Sequence, residues 1–207
     1  MKFFFLLLLL VVLSVAAKEI KSNLHLKVTQ GGLLSTVIVQ HVLASMGFKV
    51  HMHRFSSTNE VTELDLVLHG KKQLNTKEFV EELSLHQITA LNKQGMIVLD
   101  ASQALWNVPA ITADEGAQVD RSNLDSWFRV NNTFSIRIEA PYGHKWYPEI
   151  AVLDEKMQTL VSVKESTYKD EMTFQLPEHA MYLKVSNVNG MKMLKEGMWI
   201  ESANSDQ

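Results

Sequence analysis

The chain has 207 residues, with 20 Lys and Arg against 23 Asp and Glu and no cysteine. This mildly acidic balance argues against nucleic acid as a partner, since phosphates demand a basic footprint. The missing cysteine excludes a disulfide scaffold, a thiol nucleophile, a thiolate metal site and a cysteine-borne lipid anchor.

Lys2 precedes an unbroken apolar run, Phe3 to Leu13, and the small residues Ser14, Ala16 and Ala17 follow before the charged Lys18-Glu19-Ile20-Lys21. This is the layout of a secretory signal peptide, residues 1–17, cleaved after Ala16 or Ala17, with an uncleaved N-terminal anchor as the alternative. The run falls short of the roughly 20 apolar residues that span a bilayer, so no transmembrane span is expected after cleavage. Export without cysteine points to the bacterial periplasm. In that setting Asn131-Asn132-Thr133 reads as a polar turn rather than a glycosylation acceptor.

Residues 18–100 read as a strand, helix, strand, strand, helix, strand unit. Asn23 to Val28 alternates Leu24, Leu26 and Val28 with His25 and Lys27, the period of a half-buried strand. Leu34, Val37, Ile38, Val42 and Leu43 then recur at helical spacing, and Gly47 supplies the stop. Phe48 to Phe55, FKVHMHRF, alternates again and predicts a second strand; Glu63 to His69 predicts a third. Asn75 or Thr76 caps a second helix reaching Leu85, and Met96 to Asp100 is the closing strand. The order predicts a ferredoxin-like βαββαβ sandwich, two helices on one face of a four-stranded antiparallel sheet, with the other face left to solvent or a partner. The fold class expected for the whole chain is α+β, this sandwich being followed by a small antiparallel β-sandwich.

The stretch TQGGLLSTVIVQHVLASMGFKV resembles the first loop, helix and second strand of ACT regulatory domains, through Gly32-Leu33-Leu34 and Met46-Gly47-Phe48-Lys49-Val50. The resemblance covers residues 23–100. It implies a ligand near Gly31 and Gly32, or association through the sheet as a homo-oligomer.

On the helix-free face the alternation places His25 and Lys27, His51 and His53, and Glu63, Asp65 and His69. Residues two apart on a strand have Cα atoms about 6.5 Å apart, so His51 and His53, joined by His69 or Asp65, form a candidate site for zinc, nickel or copper. No cofactor is required by any motif. The same imidazoles also permit a pH-sensing surface, since they titrate close to pH 6.5.

Residues 101–125 have no sustained period and read as a connecting segment, although Trp106, Val108 and Ile111 are too apolar for a free linker. From 126 to 202 short strands follow one another, with Asn189-Gly190 as a tight hairpin turn. This stretch is the predicted β-sandwich; residues 203–207 are a disordered tail. Between two of its strands the loop APYGHKWYPE brings Tyr142, His144, Trp146 and Tyr147 together, an aromatic cluster suited to stacking on sugar or anchoring a protein. Packing of Trp146 into the sandwich is the competing reading, and Trp127 and Trp199 are expected to fill core.

No HExxH, GxSxG, phosphate-binding glycine loop or dinucleotide fingerprint occurs. The sequence therefore reads as an exported, non-enzymatic accessory protein that binds or senses through protein–protein contact, its partner another envelope or periplasmic protein. A metal or small-ligand binder using His51 and His53 is one alternative. A carbohydrate-binding module using the Tyr142–Tyr147 loop is the other.

Overall fold

Alternating leucines set the first sheet. The computed structural model describes residues 19–58, 60–93, 96–119, 126–130, 135–194 and 197–203. The expected signal peptide, the Asn131-Asn132-Thr133 turn and all but Ala203 of the expected tail lie outside the described residues. The first half runs β1 (Ile20–Thr29), α1 (Leu33–Ser45), β2 (Lys49–Ser57), β3 (Val61–Gly70), α2 (Thr76–Ser84), β4 (Thr89–Lys93) and β5 (Met96–Asp100). Leu24, Leu26 and Val28 of β1 and Leu64, Leu66 and Leu68 of β3 point to one side, where Ile38, Leu43, Phe79 and Leu83 of the helices cover them. No helix among the described residues is long and apolar enough to cross a membrane.

Asn75 starts α2: its Oδ1 accepts the N–H groups of Lys77 and Glu78 at 3.1 and 3.3 Å, two donors that the helix itself leaves unpaired. Asn75→Ala is expected to cost about 1 kcal/mol. A lower urea midpoint with unchanged slope is the readout.

The expected ferredoxin-like βαββαβ sandwich, and with it the α+β assignment, does not hold. Among the described residues fourteen strands accompany two α-helices, in three sheets. The first sheet has five strands ordered β2-β3-β1-β5-β4. β1 pairs antiparallel with β3 but parallel with β5, and β4, which the sequence reading did not include, takes the far edge antiparallel to β5. The extra strand changes the direction: β4 and β5 pair antiparallel, Lys93 opposite Met96, and β5, running opposite to β4, lies parallel beside β1. The sheet is mixed, where the expected one is wholly antiparallel.

The second half contributes β6 (Ala110–Ile111), β7 (Ala117–Val119), β8 (Ser126–Val130), β9 (Ser135–Glu139), β10 (Pro148–Leu153), β11 (Thr159–Lys164), β12 (Glu171–Gln175), β13 (Tyr182–Asn187) and β14 (Met198–Ser202). They form two sheets, β11-β10-β13-β8-β6 and β12-β9-β14-β7, around a second core that includes Phe128, Ile136, Trp146, Val152 and Leu183. Within residues 101–125, β6 joins one of these sheets and β7 the other, and Trp106, Val108 and Ile111 are buried. Gly190 takes φ 84°, but the turn at Asn189-Gly190 closes no hairpin; β13 and β14 belong to different sheets and are joined through a 3-10 turn, Met191–Met193. Trp199 is exposed rather than core, its Nε1 donating to Glu201 at 2.9 Å.

The two halves share apolar contacts. At the β10–β11 hairpin, Asp154 Oδ1 accepts the N–H groups of Lys156 and Gln158. Met157 there adopts φ 63°, a conformation that costs a non-glycine residue roughly 1–2 kcal/mol. Its buried side chain joins the first core together with Trp106, Leu153 and Tyr182.

Candidate functional site: the outer face and free edge of the first sheet

The side of the first sheet away from the helices is organised by register. Across β1 and β3, Lys21 faces His69, His25 faces Asp65 and Lys27 faces Glu63. His25 Nδ1 is bonded to Asp65 Oδ1. Across β2 and β3, Lys49 faces His69 and His51 faces Val67, and the register then slips between Met52 and Arg54. His53 occupies this bulge. Beyond it Arg54 faces Asp65 and Ser56 faces Glu63.

The bulge decides what the predicted histidines can do. His53 is the extra residue and has no direct partner on β3, so it does not continue the cross-strand pairing that His51 makes. His51 instead meets the His69 ring edge-on, centroids 5.3 Å apart, and His69 Nδ1 lies 3.8 Å from Glu19. His53 lines a separate hollow of about 490 Å³ with Lys21, Asn23, His25 and Asp65. Of the four candidate ligands, His51 thus touches His69, while His53 and Asp65 line one hollow. Among the described residues no group of three or more His, Asp or Glu is gathered closely enough to hold a metal ion.

Gly31 and Gly32 lie in a cleft of about 810 Å³ between the β1–α1 turn and the β10–β11 hairpin, lined also by Ser35, Lys156 and Tyr182. The turn satisfies itself: Gly32 N–H donates to Ser35 Oγ at 3.1 Å, and the Thr36 hydroxyl donates to the Gly32 carbonyl at 2.8 Å. A Cβ on Gly31 would stand 3.0 Å from both Ser35 Oγ and a Val28 methyl, which accounts for glycine there by packing.

The aromatic loop is dismantled. Trp146 is fully buried and donates from Nε1 to the Ser186 carbonyl at 2.9 Å. The half-buried Tyr147 gives its N–H to Asn187 Oδ1 at 3.1 Å. His144 closes a turn onto the Pro141 carbonyl with Gly143 at φ 74°. Tyr142 alone of the four projects fully into solvent.

What remains open is β2. It ends the sheet, and eight of its nine residues are exposed. It carries Lys49, His51, His53 and Arg54 and no carboxylate, in a chain whose net charge is −3. Met52 and Phe55, on the strand's other side, are exposed as well. Nothing in composition marks β2 as an edge; its neighbours in the sheet do.

No family model matches the sequence, and no curated protein matches it. Among solved structures, a β-glucosidase from Paenibacillus barengoltzii aligns with 45% of this chain at 13% identity and a TM-score of 0.23. The aligned part is 11% of that enzyme's chain, and a likeness of this size carries no argument about fold or function.

Proposed function

We propose that the protein is an exported, non-enzymatic interaction module whose β2 strand accepts an acidic, extended segment of another envelope protein. The free edge of β2, long, exposed and cationic, is the observation that carries this reading. An edge strand offers a row of backbone donors and acceptors, and a peptide that adds to it gains main-chain bonds while its side chains are read by the strand beside it. Lys49 and Arg54 select the occupant. Two copies of β2 laid together bring like charges face to face, which disfavours self-pairing through this edge. An acidic strand reverses the sign, each favourable cross-strand pair contributing roughly 0.2–1 kcal/mol. The bulge at His53 interrupts the ladder and limits nonselective pairing.

A fluorescent peptide of alternating Glu and Val tests this by anisotropy. The native protein binds it saturably, and binding weakens with added salt because the charges are exposed. Lys49→Glu with Arg54→Glu is expected to weaken the acidic peptide by about tenfold or more, equivalent to about 1.4 kcal/mol, and to gain affinity for the matching Lys and Val peptide. Equal binding of both peptides by both proteins, or none by either, contradicts the reading.

A further inference from the structure

His86 lies in the turn after α2, 7% exposed, and its Nδ1 accepts the backbone N–H of Asn107 at 3.0 Å. The main chain pairs there in the other direction, Leu105 N–H donating to the His86 carbonyl at 2.9 Å. Between these bonds stands Trp106, 1% exposed. Its ring centroid is 5.3 Å from that of His41 on α1, 4.8 Å from Trp127 on β8 and 6.0 Å from Tyr182 on β13. Its backbone N–H donates to the Tyr182 hydroxyl at 3.3 Å. One indole thus joins the first helix, the connecting segment and a sheet of the second half.

We infer that His86 and His41 make this seam a proton-operated latch: neutral imidazoles hold residues 105–107 between the two halves, and protonation releases them. With Asn107 donating to it, Nδ1 of His86 must carry a lone pair, so the ring's proton sits on Nε2. Adding a second proton at Nδ1 sets an N–H against the N–H of Asn107. The bond is lost and a charge is left where water is largely excluded. His41 stands 6.4 Å away, edge-on, and is open to solvent on its outer side, so charging it adds repulsion.

Among the described residues, the charged form of His86 is disfavoured by its electrostatic neighbour. From the second half the cluster is faced by Arg129, which acts on Tyr182, and by Lys184, whose Nζ lies 5.8 Å from the Trp127 ring centroid. From the first half His41 faces His86 and disfavours its charge. The Tyr182 phenol stays neutral, burial pushing its pKa up. Burial also lowers the pKa of both imidazoles from 6.5, and His41 lowers that of His86 further. The sign follows: the unfolded chain takes up protons at a higher pH than the folded one, so the seam has full strength above about pH 6.5 and weakens as pH falls through that value, the loss levelling off below the lowered folded value. Among the described residues Trp106 Nε1 is buried without a hydrogen-bond partner, which offsets part of the seam's strength by about 1–3 kcal/mol.

Amide hydrogen exchange at Leu105 and Asn107, corrected for intrinsic rate, tests the latch between about pH 7.5 and about pH 5, a range that brackets the imidazole. Protection in the native protein is expected to fall tenfold for every unit separating the folded and free pKa values. His86→Asn keeps an acceptor near the Nδ1 position without titrating; combined with His41→Gln it is expected to flatten the response. Constant protection in the native protein, or an equal fall in the double variant, overturns the inference. If the variants fail to fold, an NMR titration of the native His86 ring decides: a midpoint at or above the ordinary 6.5 is incompatible with the latch.

Discussion

Trp106→Ala is expected to destabilise the protein by about 3–5 kcal/mol, the range for emptying a buried tryptophan site. The large effect has two sources. The indole is almost fully enclosed and touches Trp127, Tyr182 and His41, so the vacated space has rigid aromatic walls that collapse poorly. It also belongs to the first core while contacting residues of the second half, so its loss uncouples them. Domains commonly have about 5–15 kcal/mol in all. Urea unfolding followed by both circular dichroism and tryptophan emission is expected to give coincident curves for the native protein and separated ones for the variant. Coincident curves with an unchanged midpoint would show that Trp106 does not join the halves.

Trp146→Ala is expected to cost a similar amount, about 3–5 kcal/mol, for a different reason. This tryptophan sits wholly inside the second core and its Nε1 bonds the Ser186 carbonyl. The sequence admits both a binding anchor and a tryptophan packed into the sandwich; its burial in the second core agrees with the packed reading. The discriminating readout is the urea midpoint of the second half. A variant with native stability would return Trp146 to the surface.

Local periodicity was readable in β1, α1 and β3, because Leu24, Leu26 and Val28 and the leucines of β3 repeat every second residue and the α1 apolar set repeats at helical spacing. Pairing partners were not. β4 carries no marked alternation in TALNK, and whether a strand inserts parallel or antiparallel beside β1 depends on hairpin closure elsewhere, which no local period encodes. Side-chain grouping at the site was hidden in the same way. His51 and His53 look equivalent under a period of two, but His53 is itself a bulged residue without a direct partner on β3. Trp146 reads either as a ligand anchor or as core, because aromatic clusters on loops and aromatic plugs under loops have the same composition.

The seam histidines left a fainter trace. Gln40 and His41 interrupt the apolar run VIVQHVLA, and Trp106 lies in a segment too apolar to be a free linker. His86 gives no signal of its own. Their meeting, 6.4 Å apart at ring centroids, arises from α1 and the turn after α2 converging on the connecting segment, a contact between positions distant in the chain.

The proposal that β2 accepts an acidic strand is tested most directly by mapping amide exchange across the protein with and without the Glu and Val peptide. New protection confined to amides of Lys49–Ser57, vanishing in the Lys49→Glu and Arg54→Glu double variant, is the predicted result. Protection appearing instead around Tyr142 or the Gly31 and Gly32 cleft, or no change at β2 at saturating peptide, would contradict it.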